Sequence, residues 1–540
     1  MASAQPKPTN IDAEKCAASI QSLHQYNNNN NTTSNDDGSG KLHDTGKEAV
    51  QEVLSMREID PAMTKKMHLV NDALDEIGWT AYHWKLFALS GFGYTVDALQ
   101  LSLQGIISVQ AVLEFRPSYS KGLTIAVYMG MLIGALFWGV FADIVGRKTA
   151  FNISLFLCSV FTIAAGAAPN WASLGFFIAA AAFSAGGNLI LDTTVFLEYL
   201  PSNKQWVLST MAAWFGVGCT IAGLVAWGFM LTTYAANFSC ADASDCTKAN
   251  NSGWRYLMYT MGAMIFVMSI ARVAVIRLRE TPKFLLGQGK DAEVVQTLAD
   301  ISVRYNRPCS LTLAQLQACG VVCSAHSKNR FSVGEFIIHC RSLFLTSKVA
   351  LTTILIWLSW SIIGLAYPLF NVFLPYYLAS RGVAFGVTST YETWRNYALV
   401  QVCGIFGPIV GGCLANWKPL GRRYAMMIGA LITMAFFFAY SQVASQDGNV
   451  AYSCVISFTL EIYYGVLYGY PAETLLSVHR ATGNGIAVAF CRLAGAMSAV
   501  VATYADPTTT APVFVCAALY GALAVCAFLL PFEPYGKRAS

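Results

Sequence analysis

The sequence predicts an all-α membrane protein, with twelve transmembrane helices in two pseudo-symmetric six-helix bundles. Three observations predict it. The 540-residue chain is 55% hydrophobic and only 12% charged, with mean hydropathy +0.47, outside the range of an ordinary soluble domain, so lipid must be the solvent for most of it. Apolar runs of about 20 residues, the length that crosses a hydrocarbon core of about 30 Å, recur twelve times. One long polar interruption divides those runs into six and six.

Residues 1–60 are polar and contain the run Asn27 to Asn31 and the cluster Asn35 to Gly40. Such a composition buries too little apolar area to offset chain entropy, so a disordered cytosolic tail is expected. Residues 61–83 follow as an amphipathic helix. Met63, Met67, Val70, Leu74 and Ile77 recur at helical spacing and form one apolar stripe, with Lys65, Lys66, Asp72, Asp75 and Glu76 elsewhere on the helix. That stripe suits either the membrane interface or the protein's own loops.

The first bundle occupies residues 84–276, with spans at about 84–107, 121–142, 149–168, 172–197, 206–231 and 254–276. Residues 277–348, rich in Arg, Lys and Gln, form a cytosolic linker. The second bundle occupies 349–531, with spans at about 349–378, 396–415, 424–443, 450–470, 484–504 and 512–531, and residues 532–540 form a short cytosolic tail.

Lys and Arg in the connections set the orientation. With the N-terminus inside, the cytosolic face collects Lys65, Lys66, Lys85, Arg147, Lys148, Lys204, the linker cluster, Lys418, Arg422, Arg423, Arg480, Lys537 and Arg538. The other face keeps Arg116, Lys121, Lys248, Arg255, Arg381 and Arg395. Both termini are therefore expected in the cytosol. The loop of about 232–253 then lies outside, where the sequons at Asn237 and Asn250 can carry glycans and Cys240 and Cys246 are close enough to bridge. No basic stretch with an apolar core opens the chain, so the first span is expected to serve as the targeting element.

After the second span the chain reads Gly139-Val-Phe-Ala-Asp143-Ile-Val-Gly146-Arg147-Lys148. Two glycines let a short turn pack on a neighbouring helix, and an acid and a base at the membrane edge can meet in one conformational state only. This loop is similar to the signature of the major facilitator superfamily. The resemblance implies a fold of two rocking six-helix halves, with Asp143 facing the positive N-terminal end of the eleventh span. A second copy, Gly412 to Arg423, carries Gly421, Arg422 and Arg423 but has Asn416 in place of the acid.

Further stretches resemble the sugar-porter-like branch, especially synaptic-vesicle-glycoprotein-like organic-solute transporters and their fungal relatives. They are Ala73 to Leu86, Gly186 to Asp192 continuing through Glu198 to Pro201, Arg279-Glu280-Thr281-Pro282, and Tyr470 to Thr474 with Arg480. The resemblance implies that Glu198, Glu280, Glu473 and Arg480 join cytosolic charge contacts. Where the family has Lys-Arg-Gly after the fourth span, this chain has Lys204-Gln205-Trp206, so Glu198 would need Lys204 or Arg147.

An ionisable group inside a span costs about 2.5–3.5 kcal/mol on insertion scales, so each should face a partner or a pathway. Asp97, Gln100 and Gln104 share one face of the first span, and Asn188 and Asp192 share one face of the fourth. Glu461, Tyr464 and Tyr468 line the tenth, and Trp360, Tyr367 and Asn371 the seventh. Asp97 is the leading candidate for carrying a proton, followed by Asp192 and Glu461; its alternative role is to pack neighbouring helices together. The aromatic stripes fit either core packing or solute contact. Arg492, deep in the eleventh span, suits an anionic solute or an ion pair with Glu461.

Fifteen cysteines are scattered and many, such as Cys158, Cys219, Cys403, Cys491, Cys516 and Cys526, sit in apolar runs as small hydrophobes. Cys319, Cys323 and His326 lack four-ligand zinc spacing, so no metal is expected. No nucleotide loop, nucleophile elbow or HExxH occurs, so neither an enzyme nor a cofactor is expected. The basic residues are dispersed and offer nucleic acid no surface. The chain reads as a monomeric, proton-coupled carrier of a small polar or weakly anionic metabolite. A fungal-type plasma membrane is its expected place, with a vacuolar or vesicle membrane as the alternative. Efflux by proton antiport is the second reading, and a non-transporting sensor or vesicle glycoprotein the third.

Overall fold

The structure, a computed structural model, describes residues 61–145, 147–204, 206–230, 238–240, 243–275, 280–320, 340–341, 343–344, 346–375, 377–378, 390–443, 445–475, 480–504 and 511–534. Gly146, Asn237, Cys323 and His326 lie outside them, as do the side chains of Asp143, Arg147 and Arg480.

Eleven described helices are long and apolar enough to cross a membrane. In the first half they are Ala81–Phe115, Gly122–Val145, Arg147–Gly166, Val207–Phe229 with a turn at Ala212, and Gly253–Val275. In the second half they are Ser347–Tyr367 continued by a π-helical segment Pro368–Val372, then Thr390–Ala415, Gly421–Tyr440, Gln446–Thr474, Arg480–Tyr504 and Ala511–Leu529. The remaining expected span, the fourth, is two pieces, Trp171–Ala185 and Asn188–Tyr199. The Gly186-Gly187 turn between them lies hard against the second span. A Cβ on Gly186 would stand 2.4 Å from the Met131 carbonyl oxygen, and one on Gly187 would stand 2.2 Å from the Trp138 Cβ.

Close packing follows the same plan in both halves. Gly130 and Gly134 of the second span leave room only for backbone of the fourth, at Ala179 and Phe183. Gly407 and Gly411 of the eighth span do the same toward Phe458 and Ile462 of the tenth. Lipid gives helices no hydrophobic reason to associate, so small residues that admit a neighbouring backbone supply the contact instead. The first span runs through the middle of the molecule: 83% of its apolar window is buried, against 39% for the sixth and ninth.

The N-terminal helix, Pro61–Ile77, buries Val70, Ala73, Leu74 and Ile77 against the linker helices Pro282–Gly287 and Asp291–Tyr305, so its stripe faces protein rather than lipid. Three polar contacts fix it. Lys66 pairs with Asp291 at 2.5 Å. The Asp75 carboxylate accepts the Ser202 N–H at 2.6 Å and its hydroxyl at 2.9 Å. Glu76 accepts the Ser310 N–H and hydroxyl, each at 2.7 Å.

Candidate functional site

At the centre, an ion pair joins the two halves. Arg492 Nη2 of the eleventh span donates to Asp97 Oδ2 of the first at 2.5 Å, with the side chains 4% and 0% exposed. The expected pairing of Arg492 with Glu461 is thereby corrected. Glu461 is packed within its own half, against Gly407 of the eighth span and the Tyr367 hydroxyl of the seventh.

Aromatic rings adjoin this pair. The Tyr464 and Tyr468 hydroxyls lie 2.7 Å apart. Trp360 packs edge-on to Tyr468 at 5.0 Å, and Tyr367 stacks on Tyr464 at 5.5 Å. From the first half, Tyr94 reaches Tyr468 at 5.5 Å and Phe215 reaches Tyr464 at 5.6 Å. Several buried polar atoms here have no hydrogen-bond partner: Trp360 Nε1, both amide atoms of Asn371, Glu461 Oε2 and Gln104 Nε2.

The polar stripe of the first span does not face a single pathway. Asp97 turns to the eleventh span, Gln100 Nε2 donates to Thr162 of the third at 2.8 Å, and Gln104 Oε1 accepts from Thr124 of the second at 3.0 Å. Asn188 accepts from the Ser154 hydroxyl at 2.6 Å. Asp192 receives Arg272 Nη2 of the sixth span at 2.8 Å. Arg272 escaped the sequence reading because it stands four residues from the expected end of its span, where an arginine can reach the interface. The signal was nonetheless there, as one intramembrane cation beside one unmatched acid.

At the linker end of the second half, Arg422 pairs with Glu473 at 2.8 Å. Glu533 stands at the start of the ninth span. Its carboxylate accepts the Arg422 and Arg423 backbone N–H groups at 3.0 and 3.1 Å, capping the ninth span, whose open N–H groups favour an anion. In the first half Glu280 lies beside the Lys148 backbone N–H at 3.5 Å and its carbonyl accepts the Tyr199 hydroxyl at 3.3 Å. Glu198 is buried, and around Gly139 a Cβ would meet nothing. At the opposite end the Cys240 and Cys246 sulfurs are bonded, 2.11 Å apart. Glu114 accepts Arg255 at 2.7 and 2.8 Å, a pair not expected from the sequence.

A family model described as Major Facilitator Superfamily matches residues 87–499. The chain belongs to the major facilitator superfamily. It is similar to the MFS siderochrome iron transporter 1 of Ceriporiopsis subvermispora, with 37% identity over 89% of this chain and 93% of that one. It is also similar to the niacin transporter NiaP of Acinetobacter baylyi, with 26% identity over 78% of this chain and 87% of that one. Among solved structures, the MFS proton:xylose symporter XylE of E. coli, bound to a bromodeoxyglucose, has the same fold. Its TM-score is 0.64 at 14% identity, covering 85% of this chain and 98% of that one. As a member of the superfamily, the chain is a multi-pass membrane transporter of small molecules.

Proposed function

We propose that this transporter carries a small organic monoanion, a planar heteroaromatic carboxylate of the niacin kind, by proton-coupled alternating access. The observation that carries the reading is the Asp97–Arg492 pair between the halves, bordered by tyrosines and Trp360. A guanidinium is the group best suited to a carboxylate, and flat rings stack on aromatic walls. With Asp97 ionised, Arg492 is occupied by the protein's own carboxylate. A proton on Asp97 frees Arg492 for the solute's carboxylate, so proton and anion enter together. Rocking then exposes both to the other side, where loss of the proton lets Asp97 reclaim Arg492 and expel the solute. The similarity to a niacin transporter, and a fold shared with a proton symporter, both support this reading. Coupling to protons entering from an acid exterior makes the direction uptake, across the plasma membrane.

The test is transport by the purified protein in liposomes. Radiolabelled nicotinate should accumulate when the outside is acid and collapse with a protonophore. Absence of nicotinate counterflow, together with uptake of a ferric siderophore, would replace the solute with an iron chelate.

A further inference from the structure

A second ion pair stands one helical turn from Asp97. Asp192 and Arg272 are both fully buried and 2.8 Å apart, and Arg272 also donates to the Leu89 carbonyl of the first span at 3.3 Å. The Asp192 carboxylate fills the notch left by Gly93. A Cβ on Gly93 would stand 1.4 Å from Asp192 Oδ2 and 3.2 Å from Arg272 Nη2. Gly93 and Asp97 are four residues apart on one helix, so they share a face with about 6 Å of rise between them. One oxygen of each carboxylate, Asp97 Oδ1 and Asp192 Oδ2, has no hydrogen-bond partner. Among the described residues, the other ionisable groups facing the two acids are Tyr94 of the first span, Tyr128 of the second, Cys158 of the third and Cys491 of the eleventh, none of them a carboxylate or a cation.

We propose that Asp97 and Asp192 form a dyad holding a single proton between them, with Arg272 as its fixed cation. In the state described here each carboxylate has its own guanidinium, and with both acids ionised the cluster is neutral. Arg492 belongs to the second half, and it leaves when the halves rock apart or when a solute carboxylate takes it. Gly93, Asp97, Asp192 and Arg272 all belong to the first half and stay together. Two carboxylates about one turn apart then share one cation, and one proton restores neutrality. The inference rests on the proton-coupled reading above and assigns to Asp192, Arg272 and Gly93 the setting of the proton affinity.

The test uses no solute, so its failure is distinct from failure of the solute assignment. Full-length protein carrying Arg492→Gln, and Glu461→Gln to remove the third buried acid, is placed in lipid nanodiscs and its carboxylic C=O infrared band is followed against pH. The dyad predicts a protonated carboxyl at neutral pH in this protein. Adding Asp192→Asn should abolish it, because the remaining carboxylate then has Arg272 to itself. A band that persists unchanged with Asp192→Asn, or is missing before that change, overturns the dyad. Where Asp192→Asn does not fold, Gly93→Ala takes its place by displacing the Asp192 carboxylate. The titration midpoint should then move by one pH unit or more, a tenfold change in proton affinity, and an unmoved midpoint overturns the proposal.

Discussion

Asp97 and Arg492 lie 395 residues apart in the chain, yet one hydrogen bond of 2.5 Å joins them across the two halves. Replacing Asp97 by Asn keeps its shape and removes its charge. Asp97→Asn should lose acid-driven accumulation of nicotinate in liposomes by tenfold or more and retain downhill exchange. Wild-type accumulation in the variant, with wild-type pH dependence, would remove Asp97 from the coupling step. Arg492→Ala removes the cation facing Asp97, so the variant's unfolding temperature should fall more at alkaline pH than in acid, where a proton neutralises the carboxylate.

Gly421 has φ +63, and a Cβ there would stand 2.6 Å from the Glu533 carboxylate carbon. Gly421→Ala should therefore cost about 1–2 kcal/mol from backbone strain alone, with more from displacing the cap. Glu533→Gln, which keeps the acceptor but loses the charge, should cost less than 1 kcal/mol. Equal effects on thermal stability would show that charge, not space, governs this corner.

The Ser310 hydroxyl, and after it the Ser310 N–H, hold the Glu76 carboxyl below its ordinary range by donating to the ionised form. Because the folded value is lowered, the contact is fully present above the ordinary carboxylate range and is lost as pH falls through that lowered value. The protection of residues 307–318 against hydrogen exchange, relative to the intrinsic rate at each pH, should therefore fall as pH drops below the ordinary carboxylate range. Glu76→Gln should flatten that fall, and an identical acid response in the variant would assign it to another group.

Glycosidase treatment should shift the mobility of the wild type, and the shift should vanish when Asn237 and Asn250 are both changed to Gln. Asn250 Nδ2 donates to the Asp245 carbonyl at 2.7 Å inside the disulfide loop. Occupancy at Asn250 should therefore rise when Cys246→Ser opens the turn. A glycan on Asn31 would instead place the N-terminus outside and invert the topology.

The loop signature implies that Asp143 acts on the balance between conformations. Asp143→Ala should lower turnover several-fold and leave nicotinate binding to the purified protein intact, measured by calorimetry. Loss of binding with an unchanged unfolding temperature would place Asp143 at the solute site.

The fold was legible because lipid enforces one rule on every span: about 20 apolar residues with backbone groups satisfied internally. The break at Gly186-Gly187 was visible as letters but not as a break, because two glycines serve a turn and a close helix contact equally well. Within the candidate site, periodicity put Asp97 and Gln100 on one face, yet helical spacing cannot say which neighbour a side chain finds, and Gln100 spends its amide on Thr162. The partners of Asp97 and Asp192 depend on how eleven other helices are arranged. That information is spread along the chain, so Arg492 and Arg272 could be listed as costly cations but not matched to their acids.

On the proposed cycle, the Arg492 guanidinium between the halves also governs how the carrier responds to voltage. When a solute carboxylate replaces Asp97 at Arg492, one negative charge substitutes for another, and the proton taken up cancels the charge that the solute brings. The loaded and empty carriers then cross with the same net charge, so the cycle is electroneutral. A membrane potential worth about 2.3 kcal/mol per charge per 100 mV can do no work on such a cycle. Accumulation would follow the pH difference alone, and a cell that depolarised while keeping its surface acid would go on feeding through this protein at an undiminished rate.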